Sequence, residues 1–341
     1  MLSELTAANE RLALVGLAKN TGKTVALGVL LRELQAQGRR VGVTSVGRDG
    51  EERDAIDARI EKPRVTLPAG SLVATTDSLL RASGLAHELL EQTGVRTPLG
   101  RVLVARLRQP GAIEVAGPSA ASDVRAVADA MRAHGAEQVL IDGAVDRRAA
   151  SSPAVADGLI VATGAVLDRE LEDVVQQTLD AVELARLPLL DAARLASEDV
   201  APVELAPRFV LTAEGEQIAQ LLDEHPAARW LRVAGALPER FLRGLLAPLQ
   251  HRRRELAVVV ADPTRVFLWK RGPGWYRRQG VSLHALARTE LEAITVNPVA
   301  PRSHRFDSAE LRARLGESVA DVPIFDVLHA DYGTRAGSLQ T

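Results

Sequence analysis

The sequence predicts an α/β protein in which a doubly wound, mostly parallel sheet carries a second α/β lobe, inserted or appended. Three observations lead to that class. Residues 12–17 are a short apolar run entering a Gly-containing loop, and a helical pattern from residue 24 to residue 37 follows, closed by Gly38. Residues 41–46 form another apolar run after a short connection, so the chain opens with a βαβ unit, the crossover that parallel strands require. Further apolar runs at 139–143 and 159–162 are each joined to a helical pattern, which continues the alternation.

A charged segment, 48–62, follows the second strand. Residues 65–74 and 101–116 have strand character broken by Pro and Gly and suit an antiparallel flank. Residues 119–134 read as a helix with Ser119 as N-cap, leading into the buried strand 139–143. After the strand at 159–162, residues 163–165 make a turn and 168–185 a helix. From 187 to 288 the texture changes: Pro188, Pro202, Pro207, Pro226, Pro238, Pro248 and Pro263 punctuate short elements such as 208–211 and 257–260. This is the second lobe. The strands expected at 293–297 and 322–327 return to the first sheet, so the core comprises 1–186 and 289–341, with 187–288 inserted.

Composition narrows the function. At 46% hydrophobic over 341 residues the chain can bury a large core, and disorder is not expected. A formal net charge of −2 offers no bulk attraction to nucleic acid or to an anionic membrane. With five Phe, three Trp and two Tyr, stacking platforms for single-stranded nucleic acid are not expected either. The absence of cysteine removes disulfides, thiolate metal sites and cysteine nucleophiles. The seven histidines show no metal-ligand spacing. The first residues lack a basic-then-apolar signal pattern, and no apolar stretch reaches the roughly 18 residues of a membrane span, so a cytoplasmic location is expected.

The chemistry centres on Ala18, Lys19, Asn20, Thr21, Gly22, Lys23 and Thr24. In a phosphate-binding P-loop, backbone N–H groups of a Gly-rich turn and the next helix N-terminus surround the phosphates. A Lys neutralises them and a hydroxyl takes magnesium. Gly22, Lys23 and Thr24 supply these roles, with Asn20, Thr21 and Val25 as neighbouring binding positions. The departure is at the front. Gly16 lies six residues before Gly22, where the GxxxxGK[ST] pattern has five, so Leu17 takes the Gly position.

A P-loop Thr needs an acid on the same metal, usually at the end of a buried strand, and Asp142 fits. The other reading is an Asp that caps a turn. Asp49 follows the second strand, where it can hold the metal or orient a water, or simply belong to a solvated acidic turn with Glu51, Glu52 and Asp54. Arg48 is a phosphate contact or their ion-pair partner, and Asp146 and Arg147 are placed to sense a γ-phosphate. Asn297 and Pro298 end a later strand; an amide suits an adenine edge because it donates and accepts side by side, and the other reading is an Asn-Pro turn with no ligand. His251, Arg252, Arg253 and Arg254 read as a solvated helix end, and Trp269, Trp275 and Tyr276 as core or a partner surface.

Several of these segments carry resemblances. Lys19 is similar to the extra lysine of SIMIBI-class P-loop proteins, shifted by one position, and the loop resembles the KNSGKT-like loop of molybdopterin-guanine dinucleotide biosynthesis protein B. This implies a phosphate contact from Lys19, with a homodimer as one way to deliver it. Asn297 to Pro301 resembles the N-x-x-x-P segment with which dethiobiotin synthetase holds its nucleobase, implying ATP in preference to GTP. Across most of residues 12–301 the chain resembles the P-loop subunit of the lysine 5,6-aminomutase reactivating factor. The matching stretches are residues 15–24, 44–51, 97–102, 116–119, 141–144, 162–165 and 296–298, and the lobe at 187–288 matches least. The resemblance implies a magnesium-dependent ATPase that works with a second ATPase subunit. Together they would open an adenosylcobalamin- and pyridoxal-phosphate-dependent aminomutase so that damaged cobalamin leaves. A ligase or kinase like dethiobiotin synthetase and a non-catalytic nucleotide-gated binding module are the competing readings.

Overall fold

A strand buried along its whole length needs cover on both faces, and β1 (Arg11–Gly16), buried at all 6 positions, is such a strand. A computed structural model describes residues 1–47, 64–144, 148–190, 201–301 and 303–328. The chain divides into one unit of Met1–Val175 with Thr289–Thr341 and another of Gln176–Arg288. The first boundary thus falls inside a helix, α5 below, rather than at residue 187.

In the first unit α1 (Leu2–Leu5) precedes β1, and α2 (Lys23–Ala36) follows it. Leu27, Leu30, Leu31 and Leu34 fall on one face of α2 and are buried, the spacing that lays a helix on a sheet. They join Leu12 and Leu14 of β1, Val43 and Leu140 in one core. At about 1.5–3 kcal/mol for each buried leucine, this stripe is a main source of the helix's stability. Next come β2 (Val41–Ser45), β3 (Val65–Leu67), β4 (Leu72–Thr76), α3 (Asp77–Ala82), β5 (His87–Thr97), β6 (Gly100–Leu107), β7 (Gly111–Ile113) and α4 (Ala121–Ala133). The N-cap of α4 is Ala120, without a side-chain cap bond, and not Ser119. β8 (Gln138–Ala144), β9 (Gly158–Gly164) and α5 (Leu171–Ala185) complete this stretch.

The second unit contains β10 (Val203–Leu205), β11 (Trp230–Val233), β12 (Leu237–Pro238), β13 (Leu256–Val260), β14 (Val266–Phe267) and β15 (Val281–Ala285). The strands β10-β11-β13-β15 form a parallel sheet in that order. Helices Gly215–Glu224 and Glu239–Arg252 contribute Ile218, Leu222, Phe241, Leu245 and Leu249 to its core. The chain then returns to the first unit with β16 (Glu290–Asn297) and β17 (Ile324–Asp326).

Among the described residues nine strands build the main sheet, in the order β17-β16-β9-β1-β8-β2-β4-β6-β5. From β17 to β4 all neighbours are parallel, while β6 and β5 add an antiparallel edge. The expected antiparallel flank is therefore present in β4, β6 and the β3–β7 pair, with β4 also parallel to β2. The strand β5 has no counterpart in the sequence reading. It is the sheet edge, and two register shifts break its ladder with β6, a device that blunts edge-to-edge pairing. The strand β1 lies between β8 and β9, so the loop leaving it emerges where ligands of open parallel sheets gather. Among the described residues no helix is long and apolar enough to cross a membrane.

Candidate functional site

The loop between β1 and α2 turns twice through left-handed backbone, at Asn20 (φ 69°) and at Gly22 (φ 83°). Asn tolerates this region better than most side chains and Gly adopts it freely, so the sequence fits the conformation. The Leu17 N–H donates to the Ala162 carbonyl of β9 at 2.9 Å, and the Thr21 hydroxyl donates to the Ala18 carbonyl at 3.1 Å. Thr21 is thereby buried while Lys19 and Asn20 stay exposed. Gly16 is needed at the strand end because an added Cβ would lie 2.7 Å from Thr21 Oγ1.

Gly22 is the N-cap of α2 and supplies no side-chain cap bond. The first N–H groups of α2 therefore have no partner from the cap residue, and the positive end of the helix dipole lies in the same place. Together they form an anion-attracting turn at the loop. Lys23, the first residue of α2, reaches across to β8, where its Nζ lies 2.5 Å from Asp142 Oδ1. The two side chains are 21% and 22% exposed, so the pair is largely desolvated. Asp142 is held by its strand, in register with Leu14 of β1 and Ser45 of β2, and its carbonyl accepts from the Val46 N–H at 2.9 Å. Thr24 is the next residue of α2 and is half-buried, whereas Val25 is exposed.

The third component arrives from the far end of the chain. Asn297 closes β16 opposite Gly164 of β9, and its Nδ2 donates to the Asn20 carbonyl at 2.9 Å. Its Oδ1 accepts from the Val299 N–H at 3.0 Å. An added Cβ on Gly22 would lie 3.1 Å from the Asn297 Cβ and 3.7 Å from Val327, so the ends of β16 and β17 line the loop. Gly164 permits the approach on the other side, since a Cβ there would fall 2.2 Å from the Asn297 carbonyl oxygen.

Of the residues singled out in the sequence, Lys23, Asp142, Asn297, Asn20, Thr21 and Gly22 are thus brought together. Thr24 and Val25 follow on the first turn of α2, and Pro298 directly follows Asn297. Asp49, with Arg48, Glu51, Glu52 and Asp54, and Asp146 with Arg147 lie outside the described residues. Sequence reasoning did not single out Gly164 or Val327 for the site. The one local signal was that both stand at the C-terminal end of an apolar strand.

The oxygen donors Thr24 and Asp142 suit a hard divalent cation such as magnesium, which takes one or two protein oxygens and fills its shell with water and phosphate. Among the described residues no group of three or more His, Cys, Asp or Glu is placed to hold a metal by protein ligands alone.

The aromatic cluster of the second unit splits. Tyr276 is fully buried and donates from its hydroxyl to Glu239 Oε1 at 3.0 Å, whereas Trp269 is 90% exposed. Glu239 Oε2 also accepts from the Trp269 and Lys270 N–H groups, so one carboxylate shapes the loop that displays Trp269. Burial, with the Glu239 carboxylate beside it, drives the Tyr276 phenol above its ordinary range. Comparison with known proteins gives no match to any family model, to the curated proteins or to the solved structures.

Proposed function

We propose that the loop from Gly16 to Thr24 binds the triphosphate of ATP, in preference to GTP, and that the protein is a magnesium-dependent P-loop ATPase. The observation that carries the reading is the Lys23–Asp142 pair at 2.5 Å, which joins the loop lysine to the acid of the neighbouring parallel strand. A phosphate-binding lysine and a metal-binding acid need that proximity, because the phosphate and its cation sit together.

In this reading the N–H groups at the start of α2 and the Lys23 ammonium take the β- and γ-phosphate oxygens, and exposed Lys19 adds a second positive charge. Thr24 and Asp142 would hold the magnesium ion, which neutralises phosphate charge when bound. Asp49 is a further candidate for the metal or the attacking water on its sequence position alone. Lys23 leaves Asp142 for phosphate as nucleotide enters, and charge building on the transferring phosphoryl group is met by Lys23 and the fixed amides. The preference for ATP over GTP rests on the resemblance of residues 297–301 to a nucleobase-holding segment.

Coupling of this cycle to the remodelling of a partner, an aminomutase assisted by a second ATPase subunit, rests on the family resemblance of the segments around the loop. Calorimetry with magnesium and ATP on wild type and on Lys23→Ala tests the engine. Binding by wild type that the substitution abolishes supports it, and absence of binding by wild type sinks it. Steady-state turnover with and without purified lysine 5,6-aminomutase tests the coupling, for which acceleration is expected.

A further inference from the structure

We propose that Asn297 is a positioning residue for the phosphate loop, setting the orientation of the Asn20–Thr21 peptide; this rests on the reading of the loop as a triphosphate site. The Asn297 amide joins the loop to the end of β16, donating from Nδ2 to the Asn20 carbonyl at 2.9 Å and accepting at Oδ1 from the Val299 N–H at 3.0 Å. A peptide unit is planar and trans, so its N–H points opposite to its C=O. Turning the Asn20 carbonyl toward Asn297 therefore turns the Thr21 N–H the other way. That N–H meets no acceptor among the described residues, which leaves it for a ligand.

Local preference permits the conformation so held without fixing it. Asn20 and Arg253 are the non-glycine residues with positive φ among the described residues, and Asn20 is exposed, without packing to enforce its shape. Gly22 follows at φ 83°, and Asn297 lies directly against it. The strut stands on a rigid base. The Asn297 carbonyl accepts from the Ala165 N–H at 2.9 Å, and Gly164 leaves no room for a side chain between β9 and β16. The same amide that resembles a base reader therefore acts on the phosphate end of the site.

The test measures binding of inorganic triphosphate, ATP and GTP, each with magnesium, to the full chain as wild type, Asn297→Ala and Asn297→Ser. Serine keeps an acceptor for the Val299 N–H and loses only the reach to Asn20. Thermal unfolding establishes that each variant is folded. Loss of the strut lowers affinity for triphosphate and ATP alike by about tenfold, the worth of one ordinary hydrogen bond, and leaves the ATP-to-GTP ratio unchanged. Unchanged triphosphate affinity with a collapsed ATP-to-GTP ratio overturns the proposal and makes Asn297 a base reader, and unchanged affinity for all three ligands also overturns it. A wild type that binds none of the three removes the triphosphate reading itself, and the positioning role falls with it.

Discussion

Replacing Asp142 by Asn should change nucleotide affinity in opposite directions with and without magnesium. The Lys23 ammonium lies 2.5 Å from Asp142 Oδ1. At that separation the attraction is about 6.6 kcal/mol for an effective dielectric of about 20 and about 1.7 kcal/mol in bulk water. Both groups are about four-fifths buried. Their desolvation offsets most of the larger figure, so the net attraction is close to the bulk-water value of about 1.7 kcal/mol. Nucleotide that arrives without a cation must draw Lys23 away and leave the carboxylate facing phosphate. Asp142→Asn abolishes that cost, so ATP affinity in excess chelator should rise on the order of tenfold. In saturating magnesium the same variant lacks the carboxylate proposed to hold the cation, and affinity should fall. Calorimetric titration of both proteins under both conditions is the assay. A shift of the same sign in both conditions would refute the reasoning, because it would mean that Lys23 and the cation do not compete for Asp142.

Two further predictions concern the second unit, which holds all the tryptophans, Trp230, Trp269 and Trp275, so tryptophan fluorescence follows its unfolding in the whole chain. His284 packs edge-on against Trp230, its Nδ1 is buried without a hydrogen-bond partner among the described residues, and burial holds its pKa below the ordinary value of 6.5. The unfolded chain then takes up the proton first, so stability is full above about pH 6.5 and falls as pH drops below it. Asp180, whose pKa burial raises, works in the opposite sense, with stability lost as pH rises through its window. Urea unfolding of wild type against His284→Phe across pH isolates the histidine, and the acid-side loss should vanish in the variant. In the same assay at pH 7, Tyr276→Phe should cost about 1–1.5 kcal/mol by removing the hydroxyl bond to Glu239, while Trp269→Ala should cost less than about 0.5 kcal/mol. Equal costs would mean that the Trp269 loop is packed rather than displayed.

Much of the first sheet was legible because its signals are local. A run such as residues 12–17 is apolar throughout, which a strand covered on both faces requires. The Leu27, Leu30, Leu31 and Leu34 spacing can bury one face only as a helix. The short chain between them carries its own instruction, with Gly and Asn at the two left-handed positions and Lys23 at the helix start. Where burial is not uniform the pattern failed. Along the edge strand β5, Glu88, Gln92 and Arg96 interrupt the apolar residues, and its two register shifts spoil any alternation. Ser119 was the better capping side chain, yet the helix begins after Ala120, a shift of one residue and so within the range over which helix ends fray.

By itself the sequence determined the alternation of strands and helices, the loop after β1, and the residue types gathered there. Those depend on contacts within a few residues along the chain. Only the tertiary structure decided that β8 lies beside β1, so that Lys23 meets Asp142, and that β16 returns next to β9, so that Asn297 meets Asn20 across a separation of 277 residues. It also decided that Tyr276 is buried while Trp269, of the same apolar character and near in sequence, is exposed. Strand order and burial are set by which surfaces exclude water together, a property of the whole packed chain that no local periodicity encodes.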